Sequence, residues 1–254
     1  MSPASTDAPS GYRELAPCAE LRDLLLCRWE QRVAAPREKR IVPDGCADVV
    51  WLGGRELIVA GPATRAIVAS LPAGSTTVGV RFRTGAADAP LGLPLTALRD
   101  GRVPLAELWG AACVAPLEEA LATAPTPRAQ LDLLESALLA RRAETPAVDR
   151  LALAAVAEIG GTAPRVRDLA ATLGVSERQL LRRLRAAVGY GPATLARVMR
   201  FQRALAAAWA DPAAALGGGL ARIAADAGYA DQPHFARDCR ELAGVPPTTL
   251  LRGG

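Results

Sequence analysis

Arginine side chains are concentrated in one segment of this 254-residue sequence: nine arginines and only two acidic residues lie between Arg165 and Arg203. The guanidinium group is planar and can form paired hydrogen bonds with a phosphate or with the edge of a guanine. Residues 162–254 carry a net charge of +6, whereas residues 1–161 carry −2. A solvated basic face would give the same charges, but the motifs that hold these arginines favour nucleic acid as the partner.

The sequence offers few residues for metal or nucleophile chemistry. His234 is the only histidine, and the five cysteines include no C-x-x-C pair. Zinc sites and histidine-assisted nucleophiles need such residues in groups, so we expect no catalytic site, no metal and no cofactor. Charged residues interrupt every apolar run before the ~20 residues of a membrane span, and the N-terminus lacks the apolar core of a secretory signal. We therefore expect a cytoplasmic protein with reduced thiols and no membrane partner.

The sequence contains two copies of a helix-turn-helix pattern, and the first copy holds most of these arginines. In the first, at about residues 165–188, Ala170 leaves room for a close helix crossing and Gly174 supplies the turn. Ser176 followed by Gln179 is a capping box, which predicts the start of a second helix. Four arginines on that helix can project into a major groove, namely Arg178, Arg182, Arg183 and Arg185.

The second copy lies at about residues 220–243. Ile223 repeats the packing position, Gly228 is the turn, and Asp231 is the predicted cap of the following helix. His234 falls on that helix, which indicates a structural or DNA-facing role for it rather than catalysis. Because residues 211–254, which include the second copy, carry a net charge of −1, we expect the first motif to supply most of the affinity for phosphates.

The segment between the two copies, residues 192–209, is predicted to be one helix. A helix of that length spans about 27 Å. Such a spacer can hold two recognition helices in successive major grooves, about 34 Å apart on one side of the duplex.

Over about residues 150–250, the pair of motifs resembles the DNA-binding domain of AraC/XylS-type transcription regulators. The resemblance is strongest in the second copy, which reads IAADAGYADQPHFAR and is followed by Gly244-Val-Pro-Pro. The resemblance implies double-stranded DNA and RNA polymerase as partners, and activation as the commoner mode. It implies base-facing positions at Arg178, Leu181 and Arg182, and at Gln232, Pro233, Ala236 and Arg237. The leucine, proline and alanine side chains cannot hydrogen-bond to a base, so we expect direct readout from Arg178, Arg182, Gln232 and Arg237.

The sequence departs from the family pattern at three places. Cys239 stands at a position that is usually aromatic, Leu250-Leu251 replaces the usual Tyr-Arg, and the linker at residues 211–219 is longer than usual. These departures put the rigidity of the second motif in doubt.

The N-terminal half is predicted to be mostly β-structure. Short apolar runs separated by turns over residues 18–85 are typical of a small barrel or sandwich, with Gly53-Gly54 as a hairpin turn. From about Pro90 the apolar spacing becomes helical. The expected fold class is therefore α+β, with an N-terminal β-barrel or sandwich plus helices and a C-terminal all-α double helix-turn-helix domain.

Several N-terminal motifs, among them PDGCADVVW and VGVRFRTGAA, resemble a poorly characterised cupin-like domain that occurs fused to AraC-type motifs. This resemblance implies a sensing or dimerising module without naming a ligand. An arginine pair inside a barrel can hold a carboxylate or phosphate effector; alternatively, the arginines lie on a solvated strand face. The candidate effector residues are Asp44, Asp48, Trp51, Arg81 and Arg83.

The predicted organisation is a disordered segment 1–11, a sensor or dimerisation domain 12–145 and a DNA-binding domain 146–254. A helix is expected to begin at Thr145-Pro146 and to end at Gly160-Gly161. The leucine stripe of residues 128–142 is either a homodimer helix or an ordinary helix packed on its own domain. Three hypotheses for function follow: a sequence-specific transcription regulator, a non-specific architectural DNA binder, and an enzyme with a fused helix-turn-helix module.

Overall fold

The computed structural model describes residues 11–54, 56–161 and 163–252. Most of the predicted disordered segment, residues 1–10, lies outside them, but Gly11 already begins a strand because its backbone pairs with Arg32. The described residues before Leu105 form eight strands. These are β1 Gly11–Leu15, β2 Leu25–Arg32, β3 Arg37–Ile41, β4 Asp48–Leu52, β5 Leu57–Ala60, β6 Ile67–Leu71, β7 Thr76–Phe82 and β8 Arg102–Pro104.

The strands form two antiparallel sheets. The larger has the order β1-β2-β7-β4-β5-β8, and the smaller pairs β3 with β6. The predicted turn between β4 and β5 is present, with positive φ at both Gly53 and Gly54, a conformation that glycine adopts without strain.

One face of the six-stranded sheet lies in the N-terminal core, where Val78, Val80 and Phe82 are fully buried as their alternation predicts. In the described part of the chain, four helices cover this face, one between β7 and β8 and three after β8. They are α1 Asp88–Leu91, α2 Leu105–Trp109, α3 Ala111–Thr123 and α4 Pro127–Glu144. Leu131, Leu134 and Leu138 of α4 are buried in the same core, so the leucine stripe packs on its own chain rather than forming an exposed dimer surface.

The opposite face of the six-stranded sheet, called the second face below, carries polar and aromatic side chains. Cross-strand pairing brings Glu14 opposite Trp29, and places Asp48 opposite Arg81. The β3–β6 sheet approaches this face through Lys39, whose ammonium group donates to Gln31 Oε1 at 3.0 Å.

The C-terminal part is helical. Its helices are α5 Arg150–Gly161, α6 Val166–Thr172, α7 Glu177–Val188, α8 Pro192–Ala210, α9 Pro212–Ala214, α10 Leu220–Asp226, α11 Gln232–Asp238 and α12 Pro247–Arg252. The prediction that α5 begins at Thr145-Pro146 is wrong. The helix begins at Arg150 because the Asp149 carboxylate accepts from the backbone N–H groups of Leu151 and Ala152 and so caps it.

Helix α8 contributes to two apolar clusters: Leu195 and Val198 belong to one, and Phe201 and Leu205, further along the helix, belong to the other. The predicted single spacer helix is thus the shared support of both C-terminal clusters. The α+β fold class, with antiparallel sheets first and a helical domain after them, is confirmed. None of the helices in the described ranges is long and apolar enough to span a bilayer.

Candidate nucleic-acid interface

Helices α6 and α7 form the first helix-turn-helix. Gly174 has φ 66° in the turn between them. The capping box forms as predicted: the Ser176 hydroxyl accepts from the Gln179 backbone N–H, and the Gln179 side chain accepts from the Ser176 N–H. Both bonds are local in sequence, and together they set where the recognition helix α7 begins.

One side of α7 is anchored and the other is open. Leu180 and Leu184 are buried in the core of this motif. Arg178 and Arg182 are exposed and Leu181 is half-buried, and within the described parts of the chain neither arginine forms an ion pair. The three side chains that the resemblance assigns to base contact therefore share one accessible face of α7.

Arg183 lies in a different environment from these residues. Its guanidinium donates two hydrogen bonds to the Asp149 carboxylate, at 2.5 and 2.6 Å. Partial burial would raise the pKa of Asp149, but the hydrogen bonds from Arg183 and from the α5 backbone hold it below its ordinary value. Arg183 thus ties α7 to the start of α5 through Nε and Nη2, while its side chain remains 40% exposed.

The second helix-turn-helix consists of α10 and α11. Gly228 has φ 89° in the turn, and the Asp231 carboxylate accepts from the His234 backbone N–H at 2.6 Å, as its predicted capping role requires. Phe235 anchors the inner side of α11 at 0% exposure. The predicted base-facing residues lie on the outer side: Gln232, Pro233 and Arg237 are exposed and Ala236 is half-buried.

A buried carboxylate joins this second motif to the spacer helix. Asp238, only 4% exposed at the end of α11, accepts from Arg197 at 2.7 Å and from Arg200 at 3.3 Å, both on α8. Arg197 also pairs with Glu241. The sequence places Arg197 and Arg200 in the basic segment expected to contact nucleic acid, but it does not show their pairing with Asp238, because the partners are about 40 positions apart. The one available signal is an aspartate on the apolar side of a predicted helix.

The departures from the family pattern are accommodated by packing. Cys239, Leu250 and Leu251 are all buried in the apolar cluster of the second motif. In the 211–219 linker, α9 is followed by a wide turn, Ala215–Gly219, in which Gly218 has φ 110°. The helices of the second motif share one apolar core. Any loss of rigidity caused by the departures is therefore expected in the 211–219 linker.

The N-terminal domain packs beside the open face of α7. A groove of about 680 Å³ is bordered on one side by Pro94 and Thr96 of the N-terminal domain. Its other side is the recognition helix, through Arg178, Leu181, Arg182, Arg185 and Ala186. Approach is close at the end of α7, where a Cβ on Gly189 would lie 2.6 Å from Pro62 Cγ.

The second helix-turn-helix motif also contacts the N-terminal domain. Arg40 donates to the backbone oxygen of Ala243 at 2.9 Å. The Ala66 N–H donates to the oxygen of Leu242 at 2.7 Å, and Val42 packs against the cluster of the second motif. Both acceptors lie in the wide turn Cys239–Ala243 that follows α11.

The predicted effector residues do not form one site. Arg81 pairs with Asp48 through two hydrogen bonds of 3.0 Å and lies 3.4 Å from Asp44 on the second face. Trp51 is buried in the core on the other face of the sheet. Arg83 is exposed beyond the end of β7, where it donates to the backbone oxygen of Arg22.

The side chains of the Asp48–Arg81 pair are largely buried, at 13% and 20% exposure, and the electrostatics of the pair argue against an anion site. Burial raises the pKa of Asp48 to about 6 in spite of the neighbouring guanidinium. Burial would lower the pKa of Arg81, but Asp48 and Asp44 together raise it, and Glu14 lies 3.6 Å from it. Three carboxylates already surround this one cation and neutralise its charge, so the cluster would repel a carboxylate or phosphate effector.

Comparison with known proteins gives two domain matches. Residues 169–253 match a family described as "Helix-turn-helix domain", and residues 13–104 match a "Domain of unknown function (DUF6597)". No curated protein matches the chain. The first match includes α7 and α11, and the second extends from β1 to β8.

Among solved structures, the chain is similar to ToxT from Vibrio cholerae. One ToxT structure has 10% sequence identity and a TM-score of 0.44, with 96% of this chain and 98% of that chain covered. A second, described as unsaturated fatty acid bound, has 12% identity and a TM-score of 0.42, with 89% and 94% covered.

Proposed function

We propose that this chain, whose C-terminal part is an AraC-type helix-turn-helix domain, is a sequence-specific DNA-binding regulator of transcription. In this proposal α7 and α11 enter successive major grooves. Arg178 and Arg182 contact bases in one groove, and Gln232 and Arg237 contact bases in the other. The arginines around them supply phosphate contacts.

The observation that carries the proposal is the contrast between the arginines of α7. Arg183 is held by Asp149, whereas Arg178 and Arg182 are exposed on one face and, in the described chain, have no carboxylate partner. Ion pairing would satisfy these groups if their role were structural. An unpaired guanidinium on a capped, well-anchored helix is suited to hydrogen-bond a guanine edge.

Two alternatives receive less support. A non-specific architectural binder would use the basic charge alone, and it would not require a second motif with an exposed, weakly charged face held to α8 by Asp238. The enzyme hypothesis lacks a candidate site, since the chain has a single histidine and its side chain stacks edge-on against Tyr229. Activation and RNA polymerase as a partner are proposed from the family resemblance.

We also propose that the N-terminal domain regulates DNA binding. An α-helix with its side chains is about 10–12 Å across, and a major groove is about 12 Å wide. No second protein layer fits in the groove beside α7, so the segment with Pro94 and Thr96 must move away from Arg178 and Arg182 before bases are read. An effector that favours the separated arrangement would raise DNA affinity by shifting this equilibrium.

Selection from a library of genomic fragments tests the proposal. Full-length protein is incubated with the fragments at near-physiological salt, and bound DNA is sequenced. We expect a compact motif of two blocks about one helical turn apart. Enrichment without a motif, together with a steep salt dependence, would favour the architectural alternative.

A further inference from the structure

Lys39 is the only lysine in the chain, and its ammonium group lies on the second face of the six-stranded sheet. Nζ is 4.0 Å from the centre of the Tyr12 ring and 3.0 Å from Gln31 Oε1. Burial lowers the pKa of Lys39 to about 8, and the charges of Arg37 and Arg81 act in the same direction. The protein therefore holds an ammonium ion at an aromatic ring and an amide oxygen.

The surroundings of this ammonium group are those of a cation site. The Trp29 ring lies 5.8 Å from the Tyr12 ring, and Glu14 accepts from the Tyr12 hydroxyl at 2.7 Å. Asp48 and Glu14 both attract the Lys39 charge. Aromatic faces and carboxylates together are how proteins recognise ammonium ions, including quaternary ones.

Gly79 makes room for this arrangement. A Cβ at this position would lie 2.6 Å from the Trp29 ring, so the ring rests directly on the β7 backbone. Cys27, Val50 and Ile58 pack beside Trp29 as a small apolar cluster of their own. The Trp29 ring of the cation site thus rests on an apolar cluster that fixes its position.

We propose that Tyr12, Gln31 and Trp29, with the carboxylates of Glu14 and Asp48, form a binding site for a small organic ammonium ion, which Lys39 occupies in this conformation. A free amine or quaternary ammonium ligand binds there by displacing the Lys39 side chain. This assigns the effector a positive charge, in contrast to the anion expected from an arginine pair.

The strand that carries Lys39 also contacts the second helix-turn-helix. Lys39 and Arg40 are adjacent in β3 and face opposite sides, so that Lys39 lies on Tyr12 while Arg40 donates to Ala243. Displacement of Lys39 removes an attachment of β3 to the six-stranded sheet. The bond from Arg40 to the turn after α11 weakens with it, and this step rests on the proposed function.

Calorimetric titration of the full-length protein with choline chloride tests the site, with ionic strength held constant by NaCl. We compare wild type with Lys39→Met, which keeps the aliphatic stem but removes the charge, and with Arg37→Met as a matched loss of one cation from β3. We expect Lys39→Met to bind choline about tenfold more tightly than wild type, because the wild-type site must first release its own ammonium. Arg37→Met removes a neighbouring charge but leaves Lys39 in the site, so it should gain much less affinity than Lys39→Met, and the uncharged isostere 3,3-dimethylbutan-1-ol should not bind.

Absence of choline binding in both wild type and Lys39→Met, or equal binding of the uncharged isostere, would overturn the proposal. Should Lys39→Met fail to fold, wild type is titrated at pH 7 and pH 9. Choline keeps its charge over that range while Lys39 loses its own, so affinity should rise severalfold, and a flat profile would contradict the proposal. Of the groups that face Lys39, namely Tyr12, Glu14, Arg37, Asp48 and Arg81, Asp48 titrates near pH 6 and the pKa of Tyr12 is raised.

These titrations contain no DNA, so a negative result in them is independent of the outcome of the genomic selection. A second step then measures DNA affinity of wild type with and without saturating choline. We expect choline to raise that affinity severalfold and Arg40→Ala to abolish the effect of choline, whereas Lys39→Met, which has no ammonium to displace, should respond little to choline. A choline effect of the same size in wild type and in Arg40→Ala would contradict the route through Arg40.

Discussion

Arg197 in the first half of α8 donates to the buried carboxylate of Asp238 at 2.7 Å, and so joins the spacer helix to the end of the second recognition helix. Arg200 reaches the other oxygen of the same carboxylate and lies 4.6 Å over the Tyr229 ring. A buried charge without partners is costly. The orientation of α11 relative to α8 is therefore set by this cluster as well as by apolar packing.

Arg197→Ala should destabilise the protein. The variant leaves Asp238 buried with a single guanidinium partner, so we expect the free energy of unfolding to fall by ~1–3 kcal/mol. Denaturant titration measures it. Arg222→Ala is the matched control: its pair with Asp226 joins two exposed side chains and should contribute little. Equal losses in the two variants would contradict a structural role for Asp238.

Substitutions of Arg183 and Arg178 should separate stability from DNA recognition. Arg183→Ala removes the two hydrogen bonds to Asp149 and should lower the denaturation midpoint. Arg178→Ala should leave that midpoint unchanged but cost ~1–3 kcal/mol of binding, with relaxed preference at one base position. Uniform weakening on all DNA sequences would make Arg178 a phosphate contact instead.

A carboxylate placed in the groove beside α7 should favour the closed arrangement. Thr96→Glu faces Arg178, Arg182 and Arg185 across the groove, so we expect DNA affinity to fall severalfold, whereas Ala97→Glu, one residue on, should have less effect. Hydrogen exchange then distinguishes movement of the Pro94–Thr96 segment away from α7 from direct contact of that segment with DNA. The Ala97 and Leu98 amides, which bond to Pro94 and Leu95, should exchange faster when DNA binds; slower exchange would mean that this segment contacts DNA.

The stability of the protein should depend on pH through Lys39. Its pKa is about 8 in the folded chain and about 10.4 when unfolded, so between these values the unfolded state binds more protons and stability rises with pH. Denaturation midpoints of wild type should therefore rise relative to Lys39→Met from pH 7.5 to pH 10. If the difference between the midpoints of wild type and Lys39→Met did not change with pH, the lowered pKa of Lys39 in the folded chain would be contradicted.

The parts of this fold that the sequence predicts are those determined by near neighbours. The capping box of Ser176 and Gln179, the Asp231 cap and the turn glycines Gly174 and Gly228 each act within a few residues, so their spacing is visible in the sequence. The alternation of β7 likewise predicts which face is buried, because side-chain direction on a strand has a period of two.

The long-range polar pairs could not be predicted in this way. Arg183 and Asp149 are 34 positions apart, and Arg197 and Asp238 are 41 apart, so no periodicity connects them. For Arg81 the sequence leaves open an anion site or a solvated strand face, because nothing in it shows that Asp48 and Asp44 would surround the guanidinium. The role of Lys39 also depends on how the two sheets face each other, which only the structure shows.

If two recognition helices of one chain read two separate blocks of DNA, substitutions in the two helices must affect different blocks. We would repeat the genomic selection with Arg178→Ala and with Arg237→Ala beside wild type. We expect Arg178→Ala to relax base preference within one block only, and Arg237→Ala to relax it within the other, about one helical turn away. Uniform weakening by both variants with an unchanged motif, or no motif in any of the three proteins, would contradict paired readout by α7 and α11.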